Sequence, residues 1–198
     1  MTLKHRLNLL ELVRRDDAGG TVYEWQKVKK IWALAESQSK STIFSKIGMS
    51  AESVKITMAK REITLQNALE HSGKHLILTD IAEKNQVYLE VTAATVEPVT
   101  CSVTRVDEVI DPELKTVTNR YTHIMEFPAV LTEKYQKFEQ GTPMAAGTAA
   151  MVLVVPKLVE SLHSGEIVTV GGRDYAVQIV HTLDAYKNEY EIASTEDV

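Results

Sequence analysis

One order of features runs through the chain twice, and it constrains the fold more than any single motif. Each copy opens with an extended segment carrying an aromatic, Trp32 or Phe127. A lysine-bearing polar stretch follows and ends in Phe44 or Phe138. Then come a glycine and a methionine, Gly48 and Met49 or Gly141 and Met144. An apolar run closed by lysine is next, "VKITMAK" or "MVLVVPK". A glycine-led pair of alternating segments completes the copy, "GKHLILTDIAEKNQVYLEV" or "GRDYAVQIVHTLDAYKNEYEI". The period is longer than that of a solenoid repeat, so each copy is expected to be a domain produced by internal duplication.

Most of each copy is expected to be strand. "GRDYAVQIVHTL" and "NEYEIAS" are rich in β-branched and aromatic residues and alternate with period two. "DAYKN" between them has hairpin turn residues, and Gly171-Gly172 is expected to set Ile167–Val170 against Tyr175–Ile179 through a positive-φ turn. "HRLNLLELVRRDDAGGTVYEWQKV" predicts strand, turn, strand, although Trp25, Val28 and Trp32 also fit a helical face. "TLQNALEHSG" and "KLVESLHSG" are the expected helices, one short helix per copy, each stopped by glycine. All five prolines lie at or beyond Pro98, and residues 97–120 look like a connection with extended pieces of its own. The expected fold class is mainly β: two tandem small β-barrel domains, at residues 1–98 and 121–198, joined by a linker at 99–120.

Charge divides along the same line. Residues 1–100 carry 14 Lys+Arg against 12 Asp+Glu, whereas residues 101–198 carry 8 against 15. That balance argues against a protein that wraps nucleic acid, which needs a basic footprint. Lys27, Lys29 and Lys30 form a short basic run whose ordinary reading is a solvated strand face, with DNA contact as the alternative. The single cysteine, Cys101, allows no intrachain disulfide and fits a reducing compartment. No signal peptide is evident, and no run approaches the roughly 18 apolar residues of a membrane span. The six histidines form no metal-ligand pattern, and Cys101 reads as a small apolar residue in "VTCSV". The glycine pairs precede strands, not the helix of a phosphate loop. No cofactor, metal or catalytic residue is expected.

Several residues carry a likeness to a known family. Asp17, Gly19, Gly20, Trp25, Val28, Trp32 and Ala33 spell a strand, a D-x-x-G-G-like turn, a strand ending in W-x-x-V, and then W-A. "ITMAKR", "GKHLILTDI" and "VYLEV" follow in order. This opening resembles the small head–tail connector proteins of long-tailed phages, the head-completion or stopper adaptors. The resemblance covers about residues 1–98, with a diverged copy to the end, whereas members of that family usually have one such domain. It implies a non-catalytic virion protein of the neck, assembled in the host cytoplasm as a homo-oligomeric ring. The implied partners are a portal or adaptor protein on the head side, a tail-terminator protein on the tail side, and packaged DNA in passing; no membrane is involved. It also implies a channel-facing loop between early strands, at about residues 37–53 and, in the second copy, 132–148. Lys40, Phe44, Lys46 and Met49, with Lys137, Phe138, Gln140 and Met144, are the candidate channel- or partner-facing residues. The competing readings are a tail-terminator or tail-completion ring and a nucleic-acid-binding β-barrel module. The latter needs stacking aromatics on a basic face, and the chain has only 12 aromatics and an acidic second half.

Overall fold

The computed structural model describes residues 2–17, 19–38, 41–44, 49–110, 116–134 and 150–195 of the chain. These form fourteen strands and no α-helix. The first half holds β1 (His5–Asp17), β2 (Gly20–Ser37), β3 (Ser41–Phe44), β4 (Met49–Ala51), β5 (Ser53–Ala59), β6 (Ala68–His71), β7 (Lys74–Lys84) and β8 (Tyr88–Val96). The second holds β9 (Val99–Ile110), β10 (Val117–Lys134), β11 (Ala150–Pro156), β12 (Ile167–Val170), β13 (Arg173–Thr182) and β14 (Lys187–Ser194).

The twelve strands other than β3 and β4 form one sheet that closes on itself twice. The first ring runs β1-β6-β7-β8-β5-β2 and back to β1. The second runs β9-β12-β13-β14-β11-β10 and back to β9. The strand order is therefore the same, with β9 in the place of β1 and β10 in the place of β2. The registers agree as well. Leu9 faces Leu69, which faces Leu76; Val103 faces Val168, which faces Tyr175. Leu7 lies opposite Ile31, as Cys101 lies opposite Phe127. Even the irregularities match. An extra residue bulges from β2 at Val28 and from β10 at Ile124, and a second bulge lies at Thr79 in β7 and Gln178 in β13. A bulge bends a strand and raises its twist, which closing six strands into a ring requires.

Three expectations change. Residues 99–110, expected in a linker, form β9, which pairs with β10 and β12 as the first strand of the second ring. The two expected helices are absent. Ala68 to His71 pair with β1 and β7, because Leu69 fills the first core and Ser72-Gly73 turns the chain into β7. In residues 157–166, Val159 and Leu162 enter the second core on irregular chain. There the backbone N–H groups of Glu160 and Leu162 donate to the hydroxyls of Tyr23 and Tyr190, both at 3.3 Å, so neither needs a helical carbonyl. The glycine turn is where it was expected, with φ of 58° at Gly171 and 81° at Gly172, but Ile167–Val170 pair with Arg173–Ala176, nearer the turn than predicted.

Each ring has its own core. Leu7, Ile31, Ile56, Met58 and Leu78 fill the first, and Cys101, Phe127, Leu153, Val168 and Tyr190 the second. A third cluster lies between the rings, where Ile77, Ala94 and Val96 meet Val130, Val152 and Val154. Burying one such side chain is worth roughly 1.5–3 kcal/mol, so this cluster ties the halves firmly together. Lys187 adds a polar tie: its buried ammonium donates to the Leu78 carbonyl across the junction at 3.3 Å.

Candidate functional site

The predicted loops occupy equivalent places in the two rings. One joins β2 to β5 and spans residues 38–52; the other joins β10 to β11 and spans 135–149. Each is fifteen residues long. The second begins later than expected, because Thr132 still pairs with Val152 inside the ring. Within the first loop β3 and β4 form a small separate hairpin, in which Phe44 and Met49 are backbone partners. Lys40, Lys46, Lys137, Phe138, Gln140 and Met144 lie outside the described residues.

The base of the first loop is fastened. The Gln38 N–H donates to the Ser53 carbonyl at 2.7 Å, and the Thr95 N–H to the Glu52 carbonyl at 2.9 Å. Beneath it a cavity of about 200 Å³ opens at one mouth of the first ring, lined by Ala35, Glu52, His71, Lys74, Leu76 and Thr95 among others. Lys74 pairs with Glu52 at 3.1 Å. Hydrogen bonds from Lys74, and then from Ser37, hold the Glu52 carboxyl below its usual range. Burial, with His5 and Lys74 nearby, lowers the basicity of His71. Among the described residues no three His, Cys, Asp or Glu side chains stand close enough to hold a metal ion. Cys101 is buried in the second core, and burial pushes its thiol up to about 12, as suits a packing residue.

The opposite mouths of the rings carry the feature that motif reading missed. Beyond its bulge, the β1–β2 hairpin overshoots the first ring as an arm. This arm lies on the second ring, where Thr21 and Val22 pair in parallel with Met125 and Glu126 of β10. Tyr23 is buried in the second core, and Leu12 packs against it. Trp25 stacks at a tilt on His75, 5.3 Å between ring centres, and lines a crevice at the junction with Pro128 and Val154. The β9–β10 hairpin overshoots the second ring in the same way, with Val117 paired to Ile110 near its end. Alternation in "VTCSVTRVDEVI" was the available signal for it, and the linker reading hid it.

No protein-family model matches the sequence, and no curated protein matches it. Among solved structures, a chain from the virion of a native gene transfer agent particle is similar. It is 21% identical, with a TM-score of 0.39, and the match covers 48% of this chain and 97% of that chain. A likeness at that level says nothing about activity.

Proposed function

We propose that this protein is a non-catalytic structural subunit of a phage virion, placed in the head–tail connector. In this reading each closed ring of strands is a small β-barrel domain. The two arose by duplication, with the boundary between β8 and β9. Copies of the chain form a ring that closes the DNA channel after packaging and offers a platform to the tail. Its partners are a portal or adaptor protein on one side and a tail-terminator protein on the other. The observation that carries the proposal is that each ring hangs a fifteen-residue connection between equivalent strands, where the resembling connector proteins have their channel loop. A rigid ring presenting one loop at a fixed place is suited to repetition by symmetry.

The test is the position of the protein in the particle. Electron microscopy of labelled virions should find it at the neck. Particles assembled without it should lose DNA or fail to join tails. Label at the far end of the tail tube, with DNA-filled heads in its absence, would point to a tail-completion ring instead.

A further inference from the structure

We infer that the β9–β10 arm docks on the first ring of a second copy of this chain, as the β1–β2 arm docks on the second ring within one chain. This deepens the proposed function only in taking the chain to assemble with itself; the geometry behind it is independent of the neck.

The equivalence of registers gives the partner surfaces residue by residue. In the arm, Val117 stands where Thr21 stands and Tyr121 where Trp25 stands. On the ring that receives it, Val28, Lys29 and Trp32 stand where Ile124, Met125 and Pro128 stand. Within the chain the originals are covered: Thr21, Trp25, Ile124 and Pro128 are half-buried and Met125 is buried. Their counterparts are bare. Val117 is 58% exposed, Tyr121 66%, Val28 53% and Trp32 55%, four of the most exposed large apolar side chains of the protein. Arg6 lies against the Trp32 ring, 5.8 Å from its centre.

The backbone is ready too. At Lys29 and Lys30, β2 pairs with β1 on one side, and among the described residues no strand pairs on the other. At the matching place in the second ring, Met125 and Glu126 are paired on that other side by the first arm. An exposed strand edge of this kind is the usual site of strand addition. The mouth beside it is under-covered. Ile63 and Leu65 in the β5–β6 connection are only half-buried, whereas Val159 and Leu162 in the β11–β12 connection are buried.

Charge adds to the match. Residues 106–122, the arm sequence, hold four acidic residues against Lys115 and Arg120. The receiving strand offers Lys27, Lys29 and Lys30, and among the described residues only Lys27 is engaged by an acid, Glu70 at 2.9 Å. Away from the arm the match is less apolar, since Lys55 and Thr57 replace Val152 and Val154. The arm is therefore the main contact. Such a head-to-tail interface uses two different surfaces, so it propagates until it closes as a ring or runs on as a filament.

The test uses cysteine pairs. Chains with Val117→Cys are mixed with chains carrying Lys29→Cys and oxidised; the native Cys101 is buried and stays out of the reaction. Partners in adjacent strands fall within disulfide reach. The mixture should give a disulfide-linked dimer that neither chain gives alone, and the double variant should give a ladder of longer species. Val117→Ser with Tyr121→Ser should keep the thermal midpoint, because both side chains are exposed, yet weaken self-association at least tenfold. The inference is overturned if assemblies form without the cross-link, or if the arm variant associates like the parent. A chain that stays monomeric at every soluble concentration and gives no cross-link overturns it too. A ladder from a protein absent from particle necks would sink the neck proposal alone.

Discussion

Gly20 lies where the first arm touches the second ring, and it leaves no room for a side chain. A Cβ built there would stand 2.6 Å from the Ile124 carbonyl oxygen, and its φ of 130° strains any other residue. Gly20→Ala should lift the arm and lower stability by roughly 1–3 kcal/mol, read as a fall in denaturant midpoint, with Tyr23 fluorescence becoming more accessible to quencher. His75 is a second sensitive residue. Burial lowers its pKa from 6.5 to about 4, against a smaller opposing pull from Glu70, and its Nε2 has no hydrogen-bond partner among the described residues. The unfolded chain therefore binds a proton between those values that the folded chain refuses. Stability should be full above about pH 6.5 and decline as pH falls towards 4, by roughly 3 kcal/mol at most. Denaturation curves at pH 7 and 5 should converge in His75→Leu. Single positions were only partly legible in the sequence. Cys101 was read as a packing residue in "VTCSV" and packs in β9. Trp32, however, was matched to Phe127, whereas the residue equivalent to Phe127 is Ile31. A slip of one residue exchanges the faces of a strand, and one aromatic is 55% exposed while the other is buried. Both segments alternate, so period alone gave no means of choosing.

Among the elements, the twin turns invite a direct comparison. Gly171-Gly172 and Ser72-Gly73 both place two residues at positive φ between paired strands, but the turn in the first ring spends a serine at 51°. Ser72→Asn, a residue that tolerates this conformation, should raise stability by about 0.5–1 kcal/mol. Replacing Gly171 and Gly172 by Val should cost roughly 1–3 kcal/mol, because a β-branched side chain resists positive φ. Paired melting curves test both, and unchanged midpoints would argue against the turns as register-setting devices. The strands themselves were readable because their alternation extends over several residues, as in "VKITMAK" and "YAVQIV". Four residues were too few to separate strand from helix in "ALEH", where Ala68 and Leu69 are buried and the tertiary pairing with β1 and β7 decides. Residues 157–165 carry helical spacing at Val159 and Leu162, yet the two tyrosine hydroxyls that take up the backbone N–H groups of Glu160 and Leu162 arrive from distant strands, out of reach of local pattern.

At the scale of the whole molecule, the halves are closed rings that are not self-sufficient. Residues 99–198 alone would lack Tyr23 and Leu12 and would leave Met125 and Val159 open to water. That fragment should bind a hydrophobic dye and melt well below the intact chain, whereas mixing it with residues 1–98 should restore much of the loss. Equal stability of the fragment and the intact chain would show the arm to be a passive overhang. The repeated order of features anticipates two rings of like strand order, but not where the second begins, because residues 99–120 lack the length of clean alternation that marks β9 and β10 as its first hairpin. The candidate loop residues illustrate another limit: the resemblance implied both loops between early strands, and only Phe44 and Met49 of the eight fall within described strands. Sharing β2 between two cores also has a bearing on synthesis. Tyr23 leaves the ribosome first and must wait for Tyr190, on the order of ten to thirty seconds at usual elongation rates. During that interval the nascent chain displays an edge already shaped for the ring still to come. The early half is thus both product and mould, and a chain stalled midway would present that mould to any other nascent copy nearby.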